Sequence, residues 1–426
     1  MRICSCHLSL VTDLISDRFP KYTAFDPAVP VWCITPDIDG CVHRFFDASS
    51  VSPSGRYVAI TRFRFEDRMP VPGDACDIVL VDLETGEQKI IAESRGFDTQ
   101  MGAQVQWGAD DTQLFFNDMD CDEWRPFGVL FNPLSGNRRE FSGTVYMASR
   151  DGTRIASTCL KRTGLTQAGY GVLVPEQHVP LNDGAADDDG LSITDVATDE
   201  TNLIVSYRQI LETAQPSYDA SRYIGRAWYG FHVKWNPQGD RIMMVVRCIL
   251  PDKSGPELRS VITMGADGSD IRVAVNEDIW APGGHHPDWG PDGESVTMNL
   301  KLDGEGLSLI RVGIDGNNLE TLTAVQGSGH PTLHPNQRHI LTDVYLHEKL
   351  AYGDGTTPIR WIDRKTHTEE TIVRINNDPP YRGPKRELRI DPHPAWDRDY
   401  KRIVFNGCDN GIRRVYLADL TAKLEE

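Results

Sequence analysis

Short runs in which apolar and polar residues alternate recur along the whole chain. "RYVAITRF", "TQLFFND", "DRIMMVVRC", "ESVTMNLKL" and "KRIVFNG" are examples. A period of two over four to eight residues predicts half-buried β-strands. Many runs are followed by a second strand and a hairpin turn, as in "DIVLVDLETGE", "FGVLFNPLSGN" and "LSLIRVGIDGN". Thr-Gly, Ser-Gly and Asp-Gly at these turns tolerate the positive φ that tight hairpins need. No long segment of helical period interrupts the pattern. Only "TNLIVSYRQILETA" reads equally as strand or helix.

Each strand pair is introduced by one phrase, a His or polar residue, then an apolar anchor three residues later, then a turn. "HVKWNPQG" anchors on Trp235, "HPDWGPDG" on Trp289, "HPTLHPNQ" on Leu333 and "HPAWDRD" on Trp396. Weaker copies anchor on Val51, Trp107 and Ala148, with Ala48 and Gln104 at the His position of the first two. The seven anchors are spaced by 56, 41, 87, 54, 44 and 63 residues. Apart from the long one, these bracket the ~40–50 residues of a four-stranded propeller blade. The prediction is an all-β chain forming a single seven-bladed β-propeller over residues 1–426. The long spacing predicts an inserted loop region at about 160–228 on one face, where propeller ligands bind. Its acidic run "NDGAADDDG" lacks the D-x-D-x-D-G spacing of a calcium loop and reads as a solvated turn.

Composition narrows the class. The 426 residues are 39% hydrophobic and 25% charged, as in a folded globular chain. The formal net charge of −18 opposes binding along a nucleic-acid backbone, while leaving room for a small anion in a local cationic cleft. No apolar run approaches the ~18–20 residues of a membrane span. The first residues are not expected to form a leader peptide, because Ser9, Thr12 and Asp13 break the apolar run. Nine cysteines include a Cys4-x-Cys6 pair but no C-x-x-C, which predicts free thiols and a cytoplasmic protein.

The first strand of a propeller blade lines the central channel. His232, His286, His330 and His393 occupy one register position on four consecutive blades, so they are expected at one height around the channel mouth. Converging imidazoles form a natural site for a divalent metal or for acid–base chemistry. His334, His339, His347 and His367 fall off this register and read as surface or packing residues. His285 faces the other side of its strand and reads as a supporting group.

"FHVKWNPQG", "HHPDWGPDG" and "DPHPAWDRD" resemble, in order and spacing, the signature phrases of the oligogalacturonate lyases, a cytoplasmic family of seven-bladed propellers. "VQWGADDTQLFFND" and "GSGHPTLHPNQRHILTDVY" are also similar to ulvan-lyase-like propellers. The oligogalacturonate-lyase resemblance implies that His232 is a Brønsted base and that His286 and His393 ligate a manganese ion, with zinc or calcium as alternatives. It departs from the family at two ligand positions, where Asp391 replaces a histidine and Leu388 falls near a glutamine. His330 is expected to complete the set.

The implied reaction is β-elimination on a 4-linked uronate, with an acidic oligosaccharide as partner and a monomer or weak dimer as the assembly. Arg226, six residues before His232, is the candidate clamp for the substrate carboxylate. Tyr223 and Tyr229 are candidates for an acid or for sugar stacking, and Gln104 and Asn117 for hydroxyl binding. The basic island Arg382, Lys385, Arg386 and Arg389 is a candidate subsite for outer carboxylates, with Arg386 its foremost member. The alternative from another class is a non-catalytic propeller of the TolB type that binds a protein partner.

Overall fold

The computed structural model describes residues 15–425 except 303 and 305. The Cys4-x-Cys6 pair and the leader reading lie outside the described residues. Seven four-stranded antiparallel sheets form a seven-bladed β-propeller. The seventh blade closes the ring. Its inner three strands, Ala395–Trp396, Arg402–Asp409 and Ile412–Asp419, come from the C-terminal part of the chain. Its outermost strand, Val31–Cys33, comes from the N-terminal part and pairs Val31 with Ala418.

The tryptophan anchors hold neighbouring blades together. Each indole is buried against the preceding blade, and each N–H finds an acceptor there, as a buried indole requires. Trp107 donates to the Ser50 carbonyl at 2.9 Å, Trp235 to Met147 at 3.2 Å, and Trp289 to Lys234 at 3.0 Å. Trp396 donates to the Thr332 hydroxyl at 3.1 Å. The repeated phrase therefore supplies both the core and the register of the ring.

Two regions depart from the sequence pattern. In the first blade the innermost strand is interrupted. Cys41–Val42 pairs with Thr61 and Arg62, and Val51 makes only an isolated bridge to Val58. Residues 43–50 leave the sheet between these points, so Ala48 does not take the place of a channel histidine. His43, Arg44, Phe45, Phe46 and Asp47 fill the channel instead. The second departure is in the third blade. The segment 160–228 is not one loop but two excursions, 158–189 and 207–226, separated by the strands Gly190–Asp195 and Thr201–Ser206. The ambiguous "TNLIVSYRQILETA" is both elements in turn, a strand running straight into the helix Tyr207–Thr213. A capping box makes that switch: Ser206 Oγ accepts from Gln209 N at 3.1 Å and Gln209 Oε1 accepts from Ser206 N at 2.8 Å. No helix among the described residues is long and apolar enough to cross a membrane. The seven described cysteines are free.

Candidate active site and metal centre

The residues three positions before the anchors share a backbone signature. Gln104, His232, His286 and His393 have φ of 58°, 51°, 57° and 49°. In the blade of His330 the left-handed residue is its neighbour Gly329, at 51°. The strand register slips between Phe231 and Lys234 and between His285 and Asp288, so these are bulges. A non-glycine residue held there costs on the order of 1–3 kcal/mol, and such strain collects at functional sites. Here the bulges turn the side chains into the channel.

The imidazoles converge as the register required. The His286 and His330 rings stack at 3.8 Å, and His330 meets His393 edge-on at 4.2 Å. His232 lies 6.4 Å from His286. His43, which the register did not nominate, lies 6.3 Å from His393. Phe45 occupies the axis among them, 4.6 Å from His393 and 5.4 Å from His232 and His330. All these rings are buried. Burial, followed by Lys234, pushes His232 well below the ordinary imidazole range, while Asp47 acts against them. Burial likewise depresses His286 and His393, with His330 the next cause in each.

Hydrogen bonds assign the individual nitrogens. His232 Nδ1 is 3.0 Å from Tyr146 Oη, and no hydrogen bond among the described residues reaches Nε2. His286 Nδ1 faces the Gly329 carbonyl at 2.7 Å and must donate, so Nε2 accepts the O–H of Tyr345 at 3.0 Å. His330 Nδ1 donates to the buried carboxylate of Asp343 at 2.9 Å. Asp343 also accepts from the backbone N–H of His330 at 2.7 Å and of His393 at 3.0 Å. This carboxylate therefore sets the tautomer and orientation of His330, as carboxylates behind metal-binding imidazoles do.

That leaves His330 Nε2 and both ring nitrogens of His393 buried without a partner. Such orphans are costly unless a ligand satisfies them. One ligand atom each from His330, Asp391 and His393 lies within 4.8 Å of the others. Two imidazoles with partnerless nitrogens and a neighbouring carboxylate fit a divalent cation. This donor set differs from the expected one. His286 has both ring nitrogens engaged, and Asp391 joins the cluster in its place. Leu388 is buried in an apolar cluster and offers no ligand atom from its side chain.

The other nominated residues lie elsewhere. Arg226 immediately precedes the strand Ala227–Trp235, whose extended backbone carries it ~20 Å from His232. Its guanidinium donates to the carbonyls of Pro256 at 2.7 Å and Cys248 at 3.4 Å, so it does not reach the cluster. Gln104 presents its amide N–H to Tyr146 and Val145 carbonyls at 3.1 and 3.2 Å. Asn117 is bound to both backbone groups of Val145 at 2.7 Å, which joins two blades. Tyr229 packs under the first excursion, its hydroxyl 3.4 Å from Asn182 N, and Tyr223 packs against Trp228. Arg386 is exposed in its loop. Arg389, three residues on, is the member of the basic island that turns inward, donating to Asp391 at 2.6 Å.

Below Phe45 and Phe46 lies a layer that sequence reasoning missed. Lys234 Nζ, buried, meets Asp47 at 3.0 Å, Asp288 at 3.3 Å and the Pro287 carbonyl at 2.8 Å. Arg44 pairs with the same Asp47 and donates to the Tyr146 carbonyl at 2.7 Å. Burial alone would raise Asp47, but Arg44 and Lys234 overturn this and hold it well below the carboxylate range. A lysine directly before a buried anchor was the available sign, since a buried ammonium requires a partner. An open cavity of about 210 Å³ lies beyond this layer, lined by Trp235, Trp289 and Trp396. At the histidine end, the excursion 158–189 covers the site. Tyr170 packs 5.2 Å from Phe231, and the Gly171 N–H donates to Asp98 at 3.0 Å.

Acid stability follows from these burials. Burial brings His43 down to about 4 and His285 down to about 3, from 6.5. Their neutral burial stabilises the fold fully above the unfolded value and is lost as pH falls through the folded ones. For His43 alone the loss is on the order of 3 kcal/mol. Asp98, raised by burial to about 7, and Asp288, raised to about 6, act with the opposite sign. Glu66 and Asp189, also raised by burial, join them, but the depressed imidazoles, His339 included, together with depressed carboxylates such as Asp47, outweigh these carboxyls. Urea titrations are expected to show stability falling from pH 6 toward pH 4, and a flat profile would show that the rings are not buried neutral.

The chain is similar in three dimensions to the oligogalacturonate lyase of Vibrio parahaemolyticus, with 15% identity, coverage of 94% of this chain and 96% of that one, and a TM-score of 0.65. An oligogalacturonate lyase in complex with manganese is similar at 16% identity, 96% and 97% coverage and a TM-score of 0.64. The propeller domain of the trilobed protease from Pyrococcus furiosus follows at 9% identity, 90% and 96% coverage and a TM-score of 0.50. These likenesses establish the shared propeller fold. No family model matches the chain, and no curated protein matches it in sequence.

Proposed function

We propose that the protein cleaves a 4-linked uronate in an acidic oligosaccharide by β-elimination. The observation that carries this reading is the cluster of His330, Asp391 and His393, with His330 Nε2 and both His393 ring nitrogens left without a partner, beside a neutral, buried His232. Those three residues would hold a divalent ion, with manganese the foremost candidate because a structural neighbour is a manganese complex. When bound, the ion supplies positive charge that stabilises the uronate carboxylate as the C5 proton leaves.

The chain's own residues do the rest. His232 takes the C5 proton at Nε2, in the tautomer whose Nδ1–H donates to Tyr146 Oη. Its depressed affinity for protons keeps it in the neutral form that a base needs near pH 7. Arg389, rather than Arg226, is the guanidinium at the cluster and is placed to hold a carboxylate beside Asp391. Phe45 closes the channel beneath the rings, so the sugar approaches from the face that Tyr170 covers, and the excursion 158–189 must withdraw to admit it.

Incubation with oligogalacturonate and manganese is expected to produce ultraviolet absorbance from the 4,5-unsaturated product. Chelation of the metal should abolish the signal. Cleavage to saturated ends would replace the lyase reading with hydrolysis.

A further inference from the structure

Elimination needs two proton movements, and His232 accounts for one. The glycosidic oxygen on C4 leaves poorly as an alkoxide and requires a proton as the C4–O bond breaks. Most donors around the cluster are already committed. His286 Nδ1–H is held by the Gly329 carbonyl and His330 Nδ1–H by Asp343. Tyr146, fully buried, accepts from His232 and turns its own O–H toward Met101 Sδ at 3.9 Å, and Lys234 lies beyond Phe46 in its ion pairs. Arg389 does not give up a proton in a protein. Tyr170 belongs to the segment that must withdraw.

Tyr345 remains. It lies in the loop 343–355, between strands His339–Thr342 and Thr356–Asp363 of the sixth blade. Its ring is 5.4 Å from His330 and 5.8 Å from His286, and it is part-exposed where the imidazoles are buried. Because His286 Nε2 can only accept, the hydrogen between them belongs to Tyr345. The O–H is thus present and ordered against His286 Nε2, a hydrogen bond it gives up as the proton passes to the leaving oxygen.

We propose that Tyr345 is the acid that protonates the departing C4 oxygen, an assignment that rests on the elimination reading above. His232 removes the C5 proton, the C5–H electron pair forms the C4–C5 double bond, and the C4–O pair leaves onto oxygen. That oxygen takes the Tyr345 proton. The resulting phenolate and the His232 imidazolium then exchange protons with water, which restores both groups with no net change.

The test compares two leaving groups in wild-type protein and in Tyr345→Phe, which removes only the hydroxyl. Oligogalacturonate needs a proton on its leaving oxygen, whereas a uronate bearing fluoride at C4 does not. Tyr345→Phe is expected to cleave oligogalacturonate ~10²–10⁴-fold more slowly. On the C4-fluoride, and in exchange of the C5 hydrogen with heavy water, it should stay within a few-fold of wild type. An equal loss on both substrates would reduce Tyr345 to a structural role and overturn the assignment, as would an unchanged rate on oligogalacturonate. A wild-type protein inert toward both substrates would overturn the elimination reading itself, and the assignment with it.

Discussion

Replacing His232 with alanine is expected to lower the elimination rate by ~10²–10⁴-fold, the range a positioned general base contributes. The loss should fall on kcat rather than KM, because the imidazole acts on the C5 proton as it leaves and not on the resting sugar. Metal content should be unchanged, since the donor atoms come from His330, Asp391 and His393. The pH profile of the wild-type protein carries a second signature. Burial and Lys234 depress His232, so the acid limb of kcat/KM is expected well below the ordinary imidazole range. In His232→Ala that limb should disappear along with the rate. An activity that survives the substitution would place the base elsewhere in the ring.

The largest effect on stability is expected from Asp47→Ala. It leaves Arg44 and Lys234 buried with their shared carboxylate gone, and Lys234 with Asp288 as its one remaining carboxylate partner. Breaking a buried pair from one side costs about 3–5 kcal/mol, because the surviving charge has lost its compensation. Equilibrium unfolding in urea measures this directly. Combining Asp47→Ala with Lys234→Met removes one of the stranded cations and should recover part of the loss, giving a coupling energy of opposite sign to the single effects. Strictly additive losses would show that the two residues do not share one network.

The ring was readable from the sequence because its signal is periodic. Equivalent residues in successive blades take equivalent places, so His232, His286, His330 and His393 could be aligned across more than 150 residues of chain and are found together. What escaped was whatever broke the period. The first blade has the same strand–turn phrase, yet residues 43–50 leave its innermost strand, and His43 and Phe45 enter the channel from an unregistered position. Arg226 is near His232 in sequence, but an extended strand carries it away, whereas Arg389 arrives from another blade. His286 was nominated as a ligand by its place in the ring together with the resemblance to the oligogalacturonate lyases. Its hydrogen bonds depend on the Gly329 carbonyl and Tyr345, which no spacing announces. In short, position in the ring follows from the repeat, while the duty of each nitrogen follows from its neighbours.

Crystals soaked in manganese and measured at the metal's absorption edge test the site most directly. One anomalous peak is expected, within bonding distance of His330 Nε2, a His393 ring nitrogen and the Asp391 carboxylate, with His286 still held by Tyr345. A channel without a peak, or a peak that none of these three residues contacts, would contradict the metal centre and the lyase chemistry built on it.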